Sequence, residues 1–369
     1  MLDLRIKTSR LMGLNQDLVL HGGGNTSLKE GNTIYVKASG FNLDTIDEQG
    51  FAPVSIDKLL DLLQYDTLSD TDMVRLQREA MSDQSFSNPS IEAVLHALIP
   101  FKYVDHTHAD AIVTISNAKN GKRILSKLYG KHFLIVPYVM PGFMLAKVVS
   151  QLTCKVDWAK LEGIILMHHG VFTFDNHGMK SYQKMLKVVK IAEDYLQKNT
   201  AIKYIRAKRT YDLEKLQTIM SECKGYAVEM VINQSKIAQT FASMKELNVS
   251  QKGVLTPEHI IRTKRVPIIL RDNYEKEILK YIKKYIRYFE KYKTDELMLN
   301  PAPNWAVLEG FGTVSFGKTL KEAEIIRDIN EHTMKAMLRA EQLGGYKSLS
   351  LKDSFAMEYW ELEQAKLRG

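Results

Sequence analysis

The 369-residue sequence predicts an α/β protein: a three-layer α/β/α unit around a mostly antiparallel sheet, a helical connector and a second α/β segment. Three observations carry that prediction. Short apolar, β-branched runs alternate with longer stretches whose apolar residues recur at helical spacing. The runs "TSLKE" and "TIYVKAS" flank the turn residues Gly31 and Asn32, a hairpin pattern that starts the sheet antiparallel. The pattern then changes after Arg206 and again near Leu255, which sets units at 1–206, 207–254 and 255–369.

The elements follow in order. A helix from Leu2 to Leu14 leads into "HGGGNTS" and the hairpin. "SNPSIEAVLHALIP" reads as a helix capped by Ser87 or Asn88, with Pro89 in its first turn and Ile91, Leu95 and Leu98 as its buried stripe. "YVDHTHADAIVTIS" reads as a strand. Alternation along it puts His106 and His108 on one face. "HFLIVPYVMPGF" is a strand ending in a Pro/Gly turn, and "LEGIILMHHGVFTF" gives two short strands around His168, His169 and Gly170. A helix from Lys180 to Lys198 closes the unit, and the stretch 207–250 is charged and mostly helical. The last third echoes the first: "TPEHIIRT" resembles "THADAIVT", and "LEGFGTVSFGKTLKEA" resembles "LMHHGVFTFDNHGMKSY". In the second pair Phe311 stands where His169 stands and Phe316 matches Phe174. An old duplication explains the echoes; chance likeness of two strand–turn–helix units explains them nearly as well. A degenerate copy would hold no metal, and His259, Arg262 and Lys264 in it read as a solvated turn or as cations for an anionic substrate.

Composition narrows the function. With 45% hydrophobic and 25% charged residues the chain is ordinary for a globular protein, with no apolar run of membrane-spanning length and no apolar core near the N-terminus. Cys154 and Cys223 are the two cysteines, so neither a disulfide framework nor a cysteine metal site is expected, and a reducing cytoplasm is. Half of the +8 net charge sits between Arg271 and Lys293, where eight residues are basic and four acidic. Ile278, Ile282, Tyr285, Phe289 and Tyr292 recur there at helical spacing. One buried stripe with a solvated lysine face accounts for the segment without nucleic acid.

The chemistry gathers around the histidines. Two imidazoles a pleat apart form a clamp for a metal, although hydrogen-bonded sheet residues give the same pattern. A third donor from another strand end completes a zinc trio, and periodicity does not choose between His168 and His169. Glu92 is the nearest carboxylate, either a ligand or base, a solvated helical residue, or a partner of His96 four residues on. "HGGGNTS" lacks the ending of a nucleotide P-loop, so a plain glycine turn is the simplest reading. Its backbone amides also suit an anion, and Asn25, Ser39, Gly40 and Ser90 could together cradle a phosphate.

The order "GGGNTS … VKASG … PSIEAVLH … DHTHAD … PYVMPG … HHG", over roughly residues 10–200, resembles the class II, zinc-dependent aldolases. That superfamily includes fuculose-phosphate aldolase, ribulose-phosphate 4-epimerase and the adducin head. The whole chain is similar to the aldolase half of long bacterial proteins in which a rhamnulose-phosphate-type aldolase is fused to a short-chain dehydrogenase. "TPEHIIRTK" and "EYWELEQAKL" fit that subgroup; the sequence stops where the dehydrogenase would begin, so no nicotinamide cofactor is expected.

The resemblance implies that His106, His108 and His169 bind zinc or another divalent metal, with His168 merely adjacent. It implies that Glu92 ligates the metal at rest and acts as acid and base in turnover. Asn25, Ser39, Gly40 and Ser90 match phosphate positions, with Ile91 replacing a second serine, which implies a weaker or rearranged phosphate site. Tyr138 matches a tyrosine that reaches a neighbouring subunit's active site, so a homo-oligomer with interfacial sites is implied. The implied reaction cleaves or forms a ketose 1-phosphate from dihydroxyacetone phosphate and a small, lactaldehyde-like aldehyde. A glutamate stands where the epimerases carry aspartate, which favours aldol chemistry. The alternatives are a sugar-phosphate or sugar-acid decarboxylase or epimerase, and a non-catalytic adducin-like binding head. Adducin heads lack the zinc histidines. Neither nucleic acid nor membrane is an expected partner.

Overall fold

The computed structural model describes residues 2–245 and 247–362, so the second half of "EYWELEQAKL" lies outside the described residues. The chain forms two compact units. Residues up to Ser116 with Asn120–Leu196 make the first, and Asn117–Lys119 with the residues from Gln197 onward make the second. No helix among the described residues is long and apolar enough to cross a membrane.

The first unit is built on a seven-stranded sheet flanked by helices. Its strands are β1 (Asn25–Glu30), β2 (Thr33–Lys37), β3 (Phe51–Ser55), β4 (Tyr103–Thr107), β5 (Phe133–Val136), β6 (Gly163–Leu166) and β7 (Gly170–Asp175). They lie in the order β3-β2-β1-β4-β7-β6-β5. Every pairing is antiparallel except β5 with β6, as the mostly antiparallel reading expects. The hairpin closes across Gly31 and Asn32, where Glu30 pairs with Thr33 and Gly31 takes a positive φ of 55°. The flanking helices Asp3–Gly13 and Gly178–Asn199 fall within a few residues of expectation.

One helix starts later than its sequence signals suggest. It spans Ala93–Leu98, with Glu92 at its N-cap, and Pro89 is not in its first turn. Instead Pro89 bridges Ala38, Ser39 N–H donates to the Asn88 carbonyl at 2.8 Å, and Ser90 N–H donates to the Lys37 carbonyl at 2.9 Å. Pairing residues 88–90 to the end of β2 outweighs a first helical turn, which closes few bonds for the backbone it fixes. The consequence is functional. Ser39 lies opposite Asn88 and Ser90 opposite Lys37, which brings both serines to the end of β2, and Glu92 enters the core at a chain reversal.

The second unit has a four-stranded sheet of β8 (Glu229–Asn233), β9 (Ile268–Leu270), β10 (Trp305–Leu308) and β11 (Gly312–Gly317), ordered β8-β11-β10-β9. The expected helical connector 207–254 is thereby corrected: it holds the helices Leu213–Lys224 and Lys236–Ala242 and, between them, β8. One face of the sheet packs Ala306, Leu308, Val314 and Phe316 against Leu216, Met220, Ile278, Tyr281 and Tyr285. The last three lie on the helix Tyr274–Tyr292, so the basic segment hides an apolar stripe, as read.

The two sheets share a topology. β8 pairs antiparallel with β11, β11 antiparallel with β10, and β10 parallel with β9, which repeats β4, β7, β6 and β5 in the same order and orientation. Leu166 pairs with Gly170 across a three-residue loop, and Leu308 pairs with Gly312 across another. The middle residue of each loop is left-handed, His168 at φ 62° and Gly310 at φ 72°. The next N–H, of His169 or Phe311, donates back to Leu166 or Leu308. Phe311 therefore takes the place of His169. His106 faces Phe172 in one sheet where Ile232 faces Val314 in the other, so Ile232 and Gln234 take the places of His106 and His108. The shared topology is what a duplication would leave, and the second sheet lacks all three imidazoles. "TPEHIIRT" is not the echo of the histidine strand; it forms the short helical turns Pro257–His259 and Ile260–Thr263 ahead of β9. Nor is it a solvated turn. His259 and Lys264 are buried, and the Lys264 ammonium lies 3.9 Å from a Glu358 carboxylate oxygen and 3.7 Å from the centre of the Tyr285 ring.

Candidate metal centre

The site lies at one end of β4 and β7, in the middle of the first sheet. His106 is the penultimate residue of β4, fully buried, with its ring stacked on Phe172 of β7 at 4.1 Å between centroids. His108 lies just past the strand end, where the chain turns into the helix Asp110–Ser116. His169 arrives from the β6–β7 loop. The left-handed His168, whose N–H donates to Ser116 Oγ at 3.1 Å, reverses the chain there, so His169 and not His168 faces the other two imidazoles. The three rings stand at the corners of a nearly equilateral triangle, 4.9, 5.0 and 5.0 Å between centroids. Two glycines make room for them. A Cβ on Gly170 would meet His106 Cε1 at 3.0 Å and His108 Cδ2 at 3.1 Å, and one on Gly23 would meet His108 Nδ1 at 3.1 Å.

The donor set suits a metal ion. His106, His108 and His169 each offer a nitrogen, and the three nitrogens lie within 4.8 Å of one another. His106 Nε2 and His108 Nε2 approach to 3.0 Å, and two imidazole nitrogens that close need a proton or a cation between them. Nitrogens bound about 2.0–2.1 Å from a tetrahedral ion sit roughly 3.3 Å apart, close to that separation. His106 Nδ1–H donates to the Val171 carbonyl at 3.2 Å, which leaves its Nε2 lone pair for a ligand. Glu92, 4% exposed, places Oε2 3.5 Å from His106 Nε2 and Oε1 3.8 Å from His169 Nε2. Oε1 is buried with no hydrogen-bond partner among the described residues. A carboxylate oxygen in that condition is stabilised by a cation.

The remaining expected residues divide. Ser39 and Gly40 sit exposed at the end of the hairpin, with Gly40 at a positive φ of 89°, and the bridge described above places Ser90 opposite Lys37 on the same stretch. Asn25 is buried and turned inward: its Nδ2 donates to Glu92 Oε2 at 2.7 Å, and its Oδ1 meets His96 Nε2. His96 therefore pairs with Asn25 and with Ser27 Oγ, 2.8 Å from its Nδ1, rather than with Glu92 directly. Lys37, buried, points its ammonium at the Gly22 carbonyl at 3.4 Å and adds a cation beneath the glycine run that the sequence reading left out. Tyr138 is half-buried, its ring 6.4 Å from that of His168.

Comparison with known proteins follows this division of the chain. The family described as the class II aldolase and adducin N-terminal domain matches residues 4–196, and the aldolase class II second domain matches residues 207–367. An uncharacterized oxidoreductase, YuxG, of Bacillus subtilis (strain 168) is 30% identical over 97% of this chain. The chain spans 57% of that relative's length. Among solved structures, the N-terminal class II aldolase domain of a conserved protein from Thermoplasma acidophilum is 37% identical, covering 53% of this chain and 93% of its own, with a TM-score of 0.49. An l-fuculose-1-phosphate aldolase from Thermus thermophilus is 14% identical, covering 54% and 97%, with a TM-score of 0.37.

Proposed function

We propose that this chain, which belongs to the class II aldolase and adducin N-terminal domain family, is a metal-dependent aldolase acting between a ketose 1-phosphate and dihydroxyacetone phosphate plus a small aldehyde. The observation that carries the reading is three imidazoles whose nitrogens lie within 4.8 Å of one another, beside a buried Glu92 carboxylate 3.5 Å from His106 and 3.8 Å from His169 whose Oε1 has no hydrogen-bond partner among the described residues. His106, His108, His169 and Glu92 would hold the divalent ion, with zinc expected, and when bound it supplies Lewis-acid polarisation of the substrate carbonyl.

The protein groups supply the rest. Cleaving the bond between C3 and C4 requires the C4 hydroxyl to lose a proton and C3 afterwards to gain one. Glu92 is the carboxylate placed to take and return it. The hydroxyls of Ser39 and Ser90 and the open backbone at Gly40 suit the substrate phosphate, so binding energy far from the reacting bond holds the sugar in place. Tyr138 is assigned to the departing aldehyde in a neighbouring copy of the chain, which makes the working form a homo-oligomer.

A coupled assay across a panel of ketose 1-phosphates tests this. Triose phosphate should appear, and Glu92→Gln should lower kcat far more than it raises KM. No triose phosphate from any member, with carbon dioxide released from a keto acid instead, would replace the aldolase reading with a decarboxylase.

A further inference from the structure

We infer that His96 is a positioning residue that sets the Glu92 carboxylate through Asn25; the inference rests on Glu92 belonging to the metal site. The four side chains of the chain of bonds come from two elements. Asn25 and Ser27 lie on β1, Glu92 is the N-cap of the helix Ala93–Leu98, and His96 lies within that helix. Their bonds run in one direction. A carboxylate only accepts, so Asn25 must present its NH2 to Glu92 Oε2, at 2.7 Å. That leaves the amide oxygen facing His96 Nε2, which must then carry the ring proton. His96 Nδ1 is left as an acceptor, and Ser27 O–H donates to it at 2.8 Å. Full burial and neighbouring positive charge hold the imidazole neutral, so it has one N–H to give.

The result is a relay from Ser27 to His96 to Asn25 to Glu92 in which each donor finds one acceptor. It fixes which way the Asn25 amide faces. Without the His96 N–H the amide is free to flip and present its oxygen to the carboxylate, which repels it. With the relay intact, Glu92 Oε2 is tied and Oε1 is left for the histidine cluster, 3.8 Å from His169 Nε2. The edge of His96 packs on Phe172 at 5.4 Å.

Zinc affinity measured by chelator competition tests the relay without substrate. His96→Leu should weaken zinc binding about tenfold to a hundredfold, the usual effect of losing an orienting partner. His96→Gln keeps an N–H for Asn25 and should recover most of the loss. In a Glu92→Gln background the His96→Leu change should cost nothing further, because the group it acts on is gone. Wild-type zinc affinity in folded His96→Leu, equal losses in the Leu and Gln variants, or full additivity with Glu92→Gln would each overturn the relay and leave the aldolase reading standing. Should His96→Leu not fold, His96→Gln alone decides: a loss as large as that of Asn25→Leu overturns it. A wild-type chain that binds zinc but cleaves no ketose phosphate overturns the aldolase reading alone. No zinc binding at all overturns both.

Discussion

Gly170 shows how tightly single positions define the centre. A Cβ there would stand 2.3 Å from the Thr107 carbonyl oxygen as well as against both imidazoles of the clamp, so neither backbone nor ligand has room to yield. Gly170→Ala should cost about 1–3 kcal/mol of stability and strip the metal, which thermal unfolding and elemental analysis of the purified variant would show. A variant with unchanged melting and full metal would contradict the crowding described here. At this scale the sequence was half legible. Period-two spacing exposed His106 and His108, because alternation is a local property of a strand. The choice of His169 over His168 depends on a left-handed φ of 62° in the loop, which no apolar pattern encodes. The Asn25–His96–Glu92 relay joins positions about seventy residues apart, and only the pairing of β1 beside β4 brings Asn25 next to His106.

Elements tie these residues down, and Lys29 on β1 is one such tie. Its ammonium donates to the carbonyls of Ala97, at 2.9 Å, and Ile99, closing the end of the helix that carries Glu92 and His96. Burial pushes its pKa down from 10.5 to about 7. Between those values the folded chain has released this proton and the unfolded chain still holds it. The unfolded state therefore binds more protons there, and stability rises with pH across that window. Relative to Lys29→Met, the wild-type urea midpoint should climb from pH 7 to pH 9; parallel curves would contradict the depressed value. In the second unit the apolar stripe of Tyr274–Tyr292 predicts a different signature. Ile278 is fully buried against that unit's sheet, so Ile278→Ala should cost about 2–5 kcal/mol with metal content unchanged. Strand and helix identities were legible here because the stripes are local. The helix expected to begin at Pro89 begins at Ala93, since cross-strand pairing to Ala38 and Ser39, invisible in a window of neighbours, takes the first turn.

At the scale of the whole chain, one topology is used twice and equipped once. The copy in the second unit keeps the strand order, the loop with its left-handed middle residue and the partnered glycine, while Ile232, Gln234 and Phe311 fill the ligand positions. Restoring one imidazole should then do little. Phe311→His should leave metal at one equivalent per chain, and a second equivalent would contradict the register. The sequence disclosed the later half of this copy through "LEGFGTVSFGKTLKEA" and hid the earlier half. The chain at β8 carries Ile232 and Gln234 where β4 leads to His106 and His108, so no histidine pair marks the likeness locally. The proposed aldolase stands on three imidazoles and Glu92 holding one divalent ion on which cleavage depends. Titrating zinc into chelator-stripped protein while following triose phosphate release puts that dependence to the test. Activity should rise from nothing, break at one zinc per chain and be abolished in His106→Ala; full activity before any zinc is added, or a rise that survives His106→Ala, would contradict it.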